Sequence, residues 1–144
     1  MSIIIRDAKS EDKSDIVELI KAFAKETGET SPITPAFVER YLASPSNYIL
    51  VAEWNSHFAG LLSYSLRLDL WHAASCCYIE EIIVKEPFRG KGIGSALINF
   101  MLQKAKNEGY AEISLTVDQE NARAQALYKR LGIDEFVVGL EKHM

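Results

Sequence analysis

Apolar residues follow two rhythms along this chain, and the switches between them mark out the elements. The β-branched run Ile3, Ile4, Ile5 suits a strand. After a polar turn at 9–12, Ile16, Val17, Leu19, Ile20, Phe23 and Ala24 recur at helical spacing, with Gly28 where a left-handed cap is wanted. Thr34 before Pro35 reads as the N-cap and first position of a second helix, running to about Leu42 with Phe37, Val38, Tyr41 and Leu42 on one face. From Tyr48 the period changes: 48–52 and 58–68 are strand-like and flank a polar turn at 54–57, which predicts a hairpin. A connection at 69–74 leads to a long apolar run at 76–84, interrupted only by Glu80 and Glu81. A glycine-rich segment at 89–94 then opens a helix carrying Leu97, Ile98, Met101, Leu102 and Ala105 and ending at Gly109. A strand at 113–117, a helix at 122–131 closed by Gly132, and a last strand at 136–140 complete the pattern. Antiparallel strands followed by a β-α-β crossover give a mixed α/β class, with no internal repeat.

Composition narrows this. The 144 residues, 48% of them apolar, are expected to form one domain with a sizeable core. Sixteen basic against 20 acidic residues leave a charge of -4, which argues against sequence-independent binding to nucleic acid or anionic lipid. No apolar run approaches the ~20 residues that span a bilayer, and the start, MSIIIRDAKSED, lacks the features of a secretory leader. The expectation is a cytoplasmic protein with no membrane partner. Cys76 and Cys77 are adjacent and fit neither a disulfide framework nor C-x-x-C spacing. His72 lies four residues before Cys76, but no second ligand pair is evident in the sequence, so no metal is expected and both cysteines read as small apolar strand residues.

The chemistry concentrates between Glu80 and Ser95: an apolar strand, a proline turn and a glycine-rich helix start. Glycines allow close approach of backbone to ligand, successive N–H groups converge on an anion, and the helix dipole adds its positive end. Arg89 and Lys91 supplement that field. A Walker loop is excluded because Gly94 is followed by Ser95-Ala96 rather than by Lys-Ser/Thr. The dinucleotide fingerprint fits poorly, since the glycines fall at 90, 92 and 94 and follow antiparallel strands.

Arg89-Gly90-Lys91-Gly92-Ile93-Gly94 resembles the Gln/Arg-x-x-Gly-x-Gly/Ala signature of GNAT acetyltransferases. Asn121 to Ile133, with Tyr128 before Gly132, is similar to that family's second signature, and Ile5-Arg6-Asp7-Ala8 with Asp12 looks like its usual first strand and helix start. The resemblance spans essentially the whole chain, and from Tyr78 to Gly94 it is strongest to polyamine-type members. It implies a mostly antiparallel sheet with two parallel strands splayed apart and flanking helices. It also implies acetyl-CoA as co-substrate: the pyrophosphate at Arg89, Gly90, Lys91, Gly92, Ile93, Gly94 and Ser95, and the pantetheine arm along Ile82, Ile83 and Val84 with help from Asn121, which reads equally well as a plain N-cap.

The implied reaction is acetyl transfer to a primary amine in a ternary complex. An ammonium of pKa ~10.4 must lose a proton at neutral pH, and a carboxylate is the natural acceptor. The resemblance puts that base at Glu80, with Glu81 as substitute; successive strand positions should face opposite sides of the sheet, leaving one of them in the cleft. It puts the general acid at Tyr128 and the oxyanion contact on a strand amide near Ile83 or Val84. Glu26, Glu29, Asp69 and Glu81 are candidates for an acidic cleft, with Trp71 or His72 lining it, suited to a small polyamine-like amine. The rival readings are a protein lysine or N-terminal acetyltransferase and a non-catalytic acyl-CoA-binding module. A homodimer is expected from the family resemblance.

Overall fold

A computed structural model describes residues 2–144. Five strands hydrogen-bond in chain order: β1 (Ile3–Asp7), β2 (Asn47–Trp54), β3 (His57–Asp69), β4 (Ala74–Val84) and β5 (Glu112–Leu115). The first four pair antiparallel, and β5 lies parallel to β4 after a helical crossover. The helices are α1 (Lys13–Glu26), α2 (Pro35–Ala43), α3 (Ile93–Glu108) and α4 (Ala122–Arg130). The hairpin between β2 and β3 turns on Asn55 and Ser56, both left-handed at φ 47° and 70°, so the turn is two residues long and Trp54 and His57 belong to the strands.

Alternation along β2 and β3 builds two cores. Leu50, Ala52, Leu62 and Tyr64 face α3 and meet Ile93, Leu97 and Met101. Ile49 and Leu61 face the other way and meet Ile16, Leu19 and Val38 from α1 and α2. This is a sheet with a helical layer on each side, as the family resemblance implies. The start of α1 is tied to the sheet by Arg6, whose guanidinium forks onto Asp12 at 2.8 and 2.9 Å and donates from Nε to Glu53 at 2.9 Å. Asp12 also accepts the Lys9 N–H at 2.7 Å and is 7% exposed.

The strand expected at 136–140 is absent: those residues carry no regular structure, and Phe136, Val137, Val138 and Leu140 are 72–95% exposed. β-rich composition makes a strand only where a partner ladder accepts its backbone, and none runs beside this segment.

Candidate active site

β5 accompanies β4 only from Cys76 to Ile79, opposite Glu112 to Leu115. Beyond Ile79 the two strands part, while β3 continues to pair on the other side from Ser63↔Glu81 to Gly60↔Val84. In an antiparallel pair half of a strand's N–H and C=O groups point away from the partner, so residues 80–84 present an open backbone edge where β5 has left, with the Val84 carbonyl taken by Arg89. Close approach of β3 behind that edge depends on Gly60, where a Cβ would lie 2.7 Å from the Ile83 carbonyl oxygen.

The register of β4 slips by one residue at the same point. Tyr64 pairs with Ile79 and Ser63 with Glu81, which leaves Glu80 as the extra residue of a β-bulge. Its effect is visible in the cores: Cys77 and Ile79 pack toward α3, but so do Ile82 and Val84, while Ile83 packs toward α1 and α2. The alternation changes phase between 79 and 82. Glu80 and Glu81 therefore share one face, and the expectation that successive carboxylates point to opposite sides is corrected by the bulge.

Both carboxylates line the mouth of a cavity of about 120 Å³ between the sheet and the first two helices, walled by Ile16, Ile20, Ile33, Phe37, Val38, Ile49 and Leu61, with Tyr41 and Ser63 adding polar atoms. The Tyr41 phenol donates to Glu80 Oε2 at 2.9 Å. Burial, and then the neighbouring Glu80 charge, push the Glu81 carboxyl above the usual range, although the residue as a whole keeps solvent contact. Burial and Glu80 likewise raise the Tyr41 phenol. Tyr41 and Ser63 were not singled out as site residues in the sequence; the only hint was a phenol on an otherwise apolar helix face.

The glycine-rich segment has the backbone that an anion site needs. Gly90 and Gly92 are left-handed at φ 78° and 82°, and a Cβ at Gly90, Gly92 or Gly94 would meet nothing within 4 Å, so the loop surface is open. Gly92 is the N-cap of α3 without a side-chain cap, and its carbonyl accepts from Ala96. The N–H groups of Ile93, Gly94 and Ser95 thus lack intrahelical acceptors and sit at the positive end of a 16-residue helix. The cations are engaged elsewhere. Arg89 donates from Nε to the Val84 carbonyl at 2.9 Å and pairs with Glu26 at 3.0 Å, and Lys91 lies 5.1 Å from the Trp54 ring centre.

Other expected site residues are dispersed. Tyr128 is half-buried on α4, and burial alone raises its phenol; the cavity lining does not include it. Asn121 caps α4, its side chain accepting the Ala124 N–H at 3.1 Å. The acidic cleft does not assemble: Glu26 is held by Arg89, Asp69 by His72 at the far end of β3, and only Glu81 of that set reaches the cavity. Trp71 is 90% exposed at the tip of the β3–β4 connection and does not line this cavity. A cysteine nucleophile is disfavoured, since burial pushes the Cys76 thiol up and the Cys77 thiol up to about 12.

Residues 14–133 match the Acetyltransferase (GNAT) family. The thialysine N-epsilon-acetyltransferase of Bos taurus is 30% identical, the match covering 92% of this chain and 85% of that protein. The aminoalkylphosphonate N-acetyltransferase of Salmonella typhimurium is 27% identical over 89% of this chain and 82% of its own. An aminoglycoside acetyltransferase from an uncultured soil metagenomic sample, solved with sisomicin, superimposes with a TM-score of 0.84 over 99% of this chain and 96% of its own, at 20% identity, and so speaks for the fold alone. The open β4 edge, the uncapped glycine-rich helix start and the match over residues 14–133 converge: this chain belongs to the GNAT family and is an N-acetyltransferase.

Proposed function

We propose that this enzyme transfers the acetyl group of acetyl-CoA to the primary amine of a small substrate with a compact apolar body, by direct attack in a ternary complex. The observation that carries the reading is the bulge at Glu80, which brings two carboxylates to the mouth of an apolar cavity beside the open edge of β4.

The residues present fit the co-substrate. The open edge at 80–84 suits the amide groups of a pantetheine arm, which would pair there as an added strand, and the N–H groups of Ile93, Gly94 and Ser95 with the left-handed Gly90 and Gly92 suit a pyrophosphate. When bound, acetyl-CoA supplies an activated acyl carbon and a thiolate leaving group. Glu81, its basicity raised by its surroundings, takes the proton of the incoming ammonium. Glu80, fixed by Tyr41, adds negative charge that draws a cation to the same place. An outward N–H of β4 near Ile83 or Val84 meets the developing oxyanion. Tyr128, kept protonated by burial, is assigned to protonate the departing sulfur.

The walls refine the substrate. Beyond the carboxylates, Tyr41 and Ser63 the lining is aliphatic and aromatic and carries no further charge, so a polyamine's second ammonium would be buried without a counter-ion, at heavy cost. An amine on a short aliphatic or aromatic body fits better than a polycation. The reading also carries forward a cytoplasmic, single-domain protein acting as a homodimer, a state that sedimentation checks. The deciding experiment is acetyl-CoA-dependent thiol release against a panel of alkyl amines, amino acids, polyamines, aminoglycosides and peptides. Turnover strongest with apolar amines supports the reading; turnover of peptides alone favours a protein acetyltransferase, and binding of acetyl-CoA without any turnover favours an acyl-CoA-binding module.

A further inference from the structure

At the opposite end of β4 from the bulge, three side chains of different chemistry converge. Asp69 closes β3, His72 sits in the four-residue connection that follows, and Cys76 lies near the start of β4. His72 Nδ1 is 2.6 Å from Asp69 Oδ2 and 3.8 Å from Cys76 Sγ, and the three groups' ligand atoms all lie within 4.8 Å of one another. The connection is drawn tight: Asp69 Oδ2 also accepts the His72 backbone N–H at 2.9 Å, and Ala73 takes a left-handed φ of 52°, which disfavours any L side chain.

This grouping is unsuited to nucleophilic catalysis. In a relay, carboxylate and nucleophile occupy opposite nitrogens of the imidazole. Here Asp69 and Cys76 both address Nδ1, so the carboxylate competes with the thiol instead of assisting it. Convergence of a carboxylate oxygen, an imidazole nitrogen and a sulfur on one point is what a cation requires. A tetrahedral zinc with bonds of about 2.0–2.3 Å separates its ligand atoms by roughly 3.4–3.6 Å, so the Asp69–His72 contact would open by less than about 1 Å, the His72–Cys76 contact would barely move, and the Asp69–Cys76 separation, within 4.8 Å, would close by at most about 1.4 Å.

An independent observation lies in the surrounding groups. His72 Nε2, the nitrogen left over, faces Glu112 Oε2 at 3.9 Å. The other oxygen of Asp69, Oδ1, faces Arg67 Nη2 at 3.8 Å. Arg67, Cys76 and Glu112 are direct partners across β3, β4 and β5, so the sheet register itself stacks these outer groups around the cluster. Metal-bound histidines characteristically present the second ring N–H to a carboxylate, and ligating carboxylates are themselves held. Turn geometry alone accounts for the Asp69–His72 contact but not for Glu112 and Arg67 on the outward atoms.

We propose that Asp69, His72 and Cys76 form a three-ligand site for a zinc-class divalent cation, with the fourth position left to water. One sulfur, one nitrogen and one oxygen select a borderline-soft ion over magnesium or calcium. On binding, the Cys76 thiol proton leaves to solvent and the imidazole proton resides on Nε2, toward Glu112. The cation fastens the β3–β4 connection to the sheet about 13 Å along the strand from Glu80, separate from the acetyl-transfer cavity.

The test is a Co²⁺ titration of the reduced full-length protein followed by near-ultraviolet absorption, with Zn²⁺ competition. The expected result is a thiolate-to-cobalt charge-transfer band saturating at one ion per chain and displaced by Zn²⁺. Cys76→Ser abolishes the band, whereas Cys77→Ser and His143→Ala leave it intact. His72→Ala, at an exposed position in the connection, weakens Co²⁺ affinity at least 100-fold, and Glu112→Ala weakens it about tenfold. Absence of the band in the parent protein, its survival in Cys76→Ser, or unchanged affinity in His72→Ala overturns the site.

Discussion

The Tyr41 phenol donates to Glu80 across the cavity mouth, from α2 to the bulge of β4, at 2.9 Å. This bond holds one carboxylate in place while the adjacent Glu81, its carboxyl pushed up by burial and by Glu80, is left for the proposed acceptor role. The two glutamates are therefore expected to respond differently to substitution. Glu81→Gln removes the base and lowers kcat by about 10²–10⁴-fold at neutral pH, with acetyl-CoA affinity unchanged. Equal losses in kcat for the Gln variants at both positions would sink the division of labour.

Glu80→Gln acts on the pH profile. A base must be ionised to work, so activity falls as pH drops through the Glu81 pKa. The Glu80 charge contributes to raising that pKa, and its removal moves the acidic limb of kcat/KM to lower pH. An acidic limb that stays in place or moves upward would show that Glu80 does not tune Glu81.

Tyr128→Phe tests the acid. Loss of a proton donor to sulfur lowers kcat by about 10²–10⁴-fold for acetyl-CoA with little change in KM. Full kcat in the Phe variant with every competent amine would return Tyr128 to a packing role and leave the co-substrate site untouched.

Gly60→Ala places a methyl group 2.7 Å from the Ile83 carbonyl and 3.2 Å from Val84 Cα, both backbone atoms. The strands must separate, at a cost of about 1–3 kcal/mol in stability. Because the displaced atoms belong to the open edge at 80–84, acetyl-CoA affinity measured by calorimetry should fall as well. A stable variant with parental affinity would show that the edge tolerates the shift.

Asp12→Ala removes the carboxylate on which the Arg6 fork closes and should destabilise the protein by about 2–3 kcal/mol, lowering Tm by roughly 5–10 °C. The hydrogen bonds from Arg6 hold the Asp12 carboxyl below its usual range despite burial. Its contribution is thus fully present above the unfolded-state value near ~3.9 and is lost as pH falls through the folded value. Denaturant midpoints of parent and variant should stay apart from pH 7 down to about 4 and converge below that; a constant gap down to pH 2 would contradict the linkage.

How far the sequence carried the fold depends on how local the signals were. Gly28, Pro35, Gly92 and Gly109 punctuate helices through their own φ preferences, and α1 to α4 lie where the apolar spacing puts them. The glycine-rich loop is a local arrangement too, and was legible for the same reason. The bulge was not: it exists only as a mismatch between two strands, and nothing in Ile79-Glu80-Glu81-Ile82 alone reveals that one residue has no partner. The grouping of Asp69, His72 and Cys76 with Glu112 was hidden likewise, because Glu112 arrives through the β5 crossover. The segment at 136–140 misled in the opposite sense, offering strand composition without a ladder to join.

Glu80 is also dispensable to the ladder itself. Taken out of the chain, it would leave Ile79 and Glu81 as successive members of a regular ladder, with Ile79, Ile82 and Val84 still toward α3 and Ile83 still toward α1. The second carboxylate of the cavity is therefore delivered by one residue that stands outside the ladder, while the packing on both sides of the sheet keeps its regular alternation around it.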